Sequence, residues 1–396
     1  MSALEGIRVL DLGTFIAGPY CATILGEFGA EVIKVEPPDV GDSLRRLGTN
    51  TECGDSLLWL TESRNKKCIT LDLKQERGRE LLRQLAAKCD VIVENFRPGT
   101  LEKWGLGYDE LKAFNPRAVL VRISAYGQDG PLRAQPGFAR IAHAFAGLAY
   151  LSGEPGRLPV VPGSTSLADY MSGMYGAIGA LVALKAREAT GEGQCVDLAL
   201  YESVFRVLDE IVPAYQQSGY VRERMGADAV NVCPHGHYQT SDGKWIALAC
   251  SNDRMFERFA DAMGRPELAS QTMYGDKEAR LAARDDVNRI VAEWMASLDH
   301  QTVLARCAEF DVPASLIFSI ADIFEDPQYR ARKNIRMTES RIGTLAVPEV
   351  VPRLSATPGE IRWLGNGLGA QNDDVLKNLL GLESGDISEL REQGVI

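Results

Sequence analysis

The chain has 396 residues, 45% of them apolar and 24% charged, with a formal net charge of −11. That length suits two domains, and the composition is that of a globular chain rather than a disordered one. The charge argues against general affinity for nucleic acid or an anionic membrane while leaving room for a local basic pocket, and no apolar run approaches the ~20 residues that span a bilayer.

In chain order, residues 7–13 predict a buried strand, and Gly18-Pro19 opens a helix that Gly29 closes. Glu31-Val-Ile-Lys-Val-Glu36 is a second strand, stopped by Pro37-Pro38. The pattern repeats with strands at 68–72, 90–96 and 118–125 and an amphipathic helix at 77–88, with short helical stretches from Thr100 and over 109–114. Strand–helix–strand units of this kind build a doubly wound parallel sheet, which binds ligands at the carboxyl ends of its strands. Those ends are 13–18, Glu36, 71–74, 95–99 and 124–127. The first lacks Gly-x-Gly-x-x-Gly, which argues against ordinary NAD binding. Arg45, Arg46, Arg64, Lys66, Lys67, Arg97 and Lys103 lie at or just past these ends, and such a cluster suits a ligand with several phosphates.

The stretch from Gly163 ends its polar lead-in at Asp169 and continues through small and apolar residues without charge until Lys185. Such a helix suits burial against another backbone. An aspartate at its entrance has two readings, capping of the free N–H groups or chemistry at a partly desolvated carboxylate. A strand at 195–200 follows, then a turn-rich linker at about 215–235. Beyond it come a hairpin over 237–249 on Ser241-Asp-Gly243, helices at 252–264, 276–298 and 301–309, a strand-like 312–318 and a helix ending near Tyr329. Strand segments from 335 to 357 and helices at 373–380 and 387–393 close the chain.

Eight scattered cysteines without a Cys-x-x-Cys pair read as reduced thiols, which points to a cytoplasmic location. The N-terminus lacks the charged and apolar regions of a signal peptide. Cys233-Pro-His-Gly-His237 lacks a fourth ligand at a recognisable spacing and reads as a loop, not a metal site.

Several motifs together resemble one family, the family III CoA-transferases of the CaiB/BaiF group. They include Leu4-Glu-Gly-Ile-Arg-Val-Leu-Asp11, Ala17-Gly-Pro19, residues 25–36, Gly41-Asp42, Asn65-Lys-Lys67, residues 90–99, Ser124-Ala-Tyr-Gly-Gln128, Pro136-Gly-Phe138, Ala168-Asp169, residues 190–194 and Val312-Pro-Ala314. The resemblance implies an α/β fold, with a Rossmann-like large domain on a parallel sheet plus a smaller α+β domain, in an interlocked homodimer. The expected division is 1–215 for the large CoA-binding domain, 216–235 for the linker and 236–330 for the small domain. Residues 331–396 return, and 340–396 complete the large domain.

The resemblance further implies that Asp169 is the catalytic aspartate, with coenzyme A or acyl-CoA as substrate and no metal or redox cofactor. Ile16, Ala17, Leu71, Lys74, Asn95, Phe96, Arg97 and Lys103 match CoA contacts. Succinyl-CoA is the expected donor and a small mono- or dicarboxylic acid the expected acceptor. Many relatives carry an acidic residue after Pro-Gly-Phe and a glutamine shortly beyond. Here those places are Ala139 and His143, and Phe138, Arg140 and His143 become candidate contacts to an acidic acyl group. The alternative is an α-methylacyl-CoA racemase on the same fold, which needs an acid–base pair; its histidine–aspartate pair is replaced here by Phe138 and Ala139. A non-catalytic CoA-binding protein is disfavoured by the retained Asp169.

Overall fold

The computed structural model describes residues 2–396, which form two compact units: 2–149, 161–213 and 332–396 in the first, 150–160 and 214–331 in the second. Residues 150–160 therefore group with the second unit, whereas the sequence reading kept them in the first.

The first unit begins with β1 (Arg8–Asp11), α1 (Ala17–Glu27), β2 (Glu31–Glu36), α2 (Leu57–Glu62), β3 (Lys66–Thr70), α3 (Glu76–Ala86) and β4 (Val91–Glu94). It continues with α4 (Thr100–Lys103), α5 (Tyr108–Phe114), β5 (Val119–Ser124), α6 (Ala139–Phe145), α7 (Leu148–Leu151, whose last two residues belong to the second unit), α8 (Leu167–Thr190), β6 (Cys195–Ala199) and α9 (Leu200–Phe205). The six strands make one sheet, all pairs parallel, in the order β3-β2-β1-β4-β5-β6. Strand residues alternate between two cores. Val9, Val91, Val93, Val119 and Val121 face α1 and α8, while Leu10, Ile33, Ile92 and Leu120 face the leucines of α3. Both faces are thus covered, which explains the near-continuous apolar strands.

The order reverses between β1 and β4, and a doubly wound sheet opens its ligand crevice at that point. The missing glycine fingerprint does not change this geometry.

By length and composition α8 is apolar enough to cross a membrane, which revises the expectation that no stretch is. Its composition has another cause in this fold. A Cβ at Gly173 would lie 2.9 Å from the Ala17 carbonyl oxygen, and one at Gly176 3.0 Å from Ile123. Small residues are what let α8 lie against α1 and β5.

The second unit holds β7 (His235–Gln239), β8 (Trp245–Ala249) and β9 (Ala314–Leu316) in an antiparallel sheet. Its core is built around Phe256, Phe259, Val291 and Met295 from the helices at 253–263 and 284–296. The chain returns to the first unit through a hairpin of 335–340 and 343–348 and two terminal helices at 372–380 and 384–392.

Candidate active site

The loop after β1 carries the first wall of the site. Thr14 N–H donates to Asn95 Oδ1 at 2.7 Å, and Asn95 Nδ2 donates back to the Thr14 carbonyl at 2.8 Å. These reciprocal bonds staple the β1 and β4 loops across the topological switch. Phe15 takes a left-handed φ of 59°, and its N–H donates to Asp42 Oδ1 at 3.0 Å. Non-glycine residues adopt that conformation only where surrounding structure holds them. Here the hold is a buried charge network: Lys34 lies 3.0 Å from Asp42 and donates to the Gly13 carbonyl, and Lys66 lies 2.9 Å from Asp11. Burial alone would raise the Asp42 carboxyl. The Lys34 charge and the N–H groups of Leu44 and Phe15 outweigh it and hold the group low.

The second wall follows β4. Glu94 accepts the Phe96 N–H at 2.7 Å and pairs with Arg122 at 2.7 Å, and Arg122 also pairs with Glu102. These bonds fix the Asn95–Arg97 backbone. At the start of α1, Ile16 provides no side-chain cap, so the first N–H groups of that helix have no intrahelical partner.

Between the walls is a cleft of roughly 250 Å³, lined by residues 14–17, 95–98, 123–125, Arg133, 135–138, Asp169 and Leu200. Asp169 sits in the first turn of α8. Among the described residues its carboxylate has no hydrogen-bond or ion-pair partner, so the capping reading is not realised. Burial, with no compensating donor, pushes its pKa up to about 6.

The structure thus brings together Ile16, Ala17, Asn95, Phe96, Arg97, Phe138 and Asp169 around one cavity. The other predicted residues do not line it. Leu71 is buried in the α3-side core, while Lys74, Lys103 and Arg140 are exposed. His143 is neither exposed on its helix nor open to a substrate: it is 2% exposed, and its Nε2 accepts the Ala168 N–H at 3.1 Å. The basic cluster is also redistributed. Arg45 is paired with Glu36 and Asp55, Arg64 with Glu27, Lys66 with Asp11, and Lys67 with Glu31 and Asp374. Arg46 is engaged with the Val40 carbonyl. Of the seven, Arg97 lines the cleft and Lys103 remains exposed on α4.

Arg133 and Ser124 are among the cleft residues that sequence reasoning missed. Arg133 is exposed, with no ion pair among the described residues; it stands in a loop of turn formers where a lone arginine carries no signal. Ser124 lies at the end of β5 with its hydroxyl buried and unpartnered. The Ser-Ala-Tyr-Gly-Gln motif drew attention to that strand end without assigning the serine a role. Among the described residues, no three His, Cys, Asp or Glu side chains gather as a metal-ligand set.

Comparison with known proteins shows the family and the fold. The family model described as CoA-transferase family III matches residues 4–372. The beta subunit of succinyl-CoA–L-malate CoA-transferase from Chloroflexus aurantiacus is 55% identical over 99% of this chain and 98% of its own. Succinyl-CoA–D-citramalate CoA-transferase of the same organism is 41% identical over 99% and 98%. A CaiB/BaiF family protein from Brucella suis superposes with a TM-score of 0.84 at 33% identity, covering 96% of this chain and 99% of that one.

Proposed function

The chain belongs to CoA-transferase family III, and we propose that it moves CoA from succinyl-CoA to a small dicarboxylic acid, with Asp169 as the nucleophile. The observation that carries this reading is a carboxylate with no partner, held in a cleft at the switch point of the sheet. A carboxylate is a weak nucleophile in water and a stronger one when oriented and partly desolvated beside a thioester.

In the first step an Asp169 oxygen attacks the thioester carbonyl of succinyl-CoA. The C–S bond breaks, leaving CoA thiolate and a mixed anhydride. The thiolate then attacks the Asp169 carbonyl, the anhydride C–O bond breaks, and succinate departs from an aspartyl-CoA thioester. The acceptor carboxylate attacks that thioester, forming a second mixed anhydride and releasing the thiolate again. Attack of the thiolate on the acceptor's acyl carbon gives the product acyl-CoA and restores Asp169. Each tetrahedral oxyanion needs N–H donors, and the opening turn of α1 at Ile16 and Ala17 lies on the same cleft.

CoA itself is assigned to the groove at the strand ends, with Asn95, Phe96 and Arg97 as near contacts and the exposed cations Lys74 and Lys103 as candidates for its phosphates; Leu71, buried in the core, is no longer among the contacts. Arg133, a cation without an ion-pair partner beside Phe138 on the cleft wall, suits the carboxylate of the acceptor that does not react. The racemase alternative needs an acid–base pair at the α-carbon. No histidine lines the cleft, and His143 is committed to a backbone N–H.

Two further assignments belong to this reading. The large exposed side chains Met174, Ile178 and Val182 on α8, with Ile141 and Phe145 on α6, suit cover by a second chain, as in an interlocked homodimer. Eight free cysteines suit the cytoplasm.

The test is to incubate the protein with succinyl-CoA and a panel of mono- and dicarboxylic acids, malate and citramalate included, and to separate the acyl-CoA products. Equal amounts of succinate and a new acyl-CoA support the reading. No new acyl-CoA with any acid, together with solvent deuterium entering the α-position of a 2-methylacyl-CoA, would replace it with the racemase.

A further inference from the structure

The first turn of α8 is held in an unusual way. Its N-cap residue, Ser166, makes no side-chain cap. Leu167 N–H reaches the Ser164 carbonyl at 3.4 Å, and the first regular helical bond runs from Tyr170 N–H to the Ser166 carbonyl at 3.1 Å. The Ala168 N–H is satisfied from outside the helix, by Nε2 of His143 on α6. That bond requires Nε2 to be the unprotonated nitrogen, which is the neutral imidazole with its hydrogen on Nδ1. The surroundings favour that form: burial first, and then the Arg140 cation, both lower the His143 pKa. Ala139, Ala142 and Ala168 share one core cluster, so α6 and the start of α8 are packed as well as bonded.

Asp169 is the next residue. Its carboxylate has no hydrogen bond of its own among the described residues, so what positions it is the backbone of this turn and the packing around it. We propose that His143 is a positioning residue for the nucleophile: by accepting the Ala168 N–H it fixes the entrance of α8 and thereby the place of the Asp169 carboxylate in the cleft. His143 does not touch the cleft and takes no part in the chemistry. The inference rests on the reading of Asp169 as nucleophile.

The required property is an acceptor at the distance of Nε2 from the backbone. Glutamine can supply one, since its amide oxygen stands about as far from Cα as Nε2. Leucine has no acceptor, and asparagine is too short to reach. The experiment measures, on the full chain, the rate at which succinyl-CoA activates Asp169, trapped with hydroxylamine and mapped by peptide mass, together with steady-state kinetics. For His143→Leu, activation and kcat fall about tenfold or more while the succinyl-CoA KM stays within about threefold, because misplacement penalises the chemical step. His143→Gln restores both to near the parent value, and His143→Asn does not. Selective labelling of Ala168 with ¹⁵N supplies a readout apart from activity. Its amide proton loses its protection from exchange in the asparagine variant and keeps it in the glutamine variant.

If the leucine variant does not fold, the glutamine and asparagine variants still decide: equal rates in the two would overturn the proposal, as would a leucine variant as fast as the parent. A parent protein that never labels at Asp169 would instead overturn the nucleophile reading, so the two failures are distinct.

Discussion

Two aspartates in the first unit meet burial in opposite ways. Asp42, beneath the β1 loop, has Lys34 at 3.0 Å and accepts the N–H groups of Phe15 and Leu44. Its carboxyl is held low despite burial. Asp169, at the entrance of α8, is partly buried with no cation and no donor, and is pushed up to about 6. The first region satisfies its charges and so fixes a strained loop. The second leaves one charge unsatisfied, as the proposed role of Asp169 as nucleophile would have it. The two differ in their partners: Asp42 in the scaffold is matched by a cation and two N–H groups, and Asp169 in the cleft has no such partner among the described residues.

The sharpest way to break the contrast is to remove each carboxylate. Asp169→Ala is expected to lower kcat at least about ten-thousandfold, measured as acyl-CoA formed. Its effect on stability has the opposite sign. A carboxylic acid whose folded pKa is raised destabilises the fold above its unfolded pKa, so replacing Asp169 with asparagine relieves that penalty near neutral pH. Denaturant unfolding should show a gain of roughly 1–3 kcal/mol. Asp42→Ala, by contrast, removes the nearer of the two carboxylates that match buried Lys34, leaving Asp11 at 3.8 Å, and should cost about 3 kcal/mol in the same measurement. The Phe15 loop loses its anchor too.

The pH dependence follows from the same pair. Asp169 acts as its anion, so kcat/KM should be level above about pH 6 and fall tenfold per unit below it as the carboxylate protonates. Asp42, held low, contributes no break in that range. The smallest effect expected is at the rim of the cleft. Arg133→Ala should raise the acceptor KM about tenfold with the succinyl-CoA KM unchanged, because loss of one exposed cation touches the acceptor alone.

Much of the sheet was legible, because β-branched runs and helical periodicity are local properties. Glu31–Glu36 and Cys195–Ala199 are strands within the stretches read as such. What was not legible depends on partners far apart in sequence. Lys66 interrupts the start of an apolar strand and reads as a surface or phosphate-binding charge. It is buried because Asp11, 55 residues earlier, lies beside it. Arg45 is likewise spent on Glu36 and Asp55 and stacks on Trp59. The helix at 139–145 lacks a start signal, and the bond of His143 depends on α8 bringing the Ala168 N–H against it, 25 residues on. Asp169 was legible in position but not in state: on its own stretch an aspartate at a helix entrance reads first as a cap, and the absence of any hydrogen bond or ion pair to it among the described residues is what sets that reading aside.

The most direct test is to incubate the protein with succinyl-CoA alone, quench with hydroxylamine, and map the modified peptide by mass spectrometry. A hydroxamate at Asp169, absent from Asp169→Asn, is the predicted result. An unmodified Asp169 under conditions where new acyl-CoA is being made would show that CoA transfer proceeds without this carboxylate and would contradict the contrast drawn between it and Asp42.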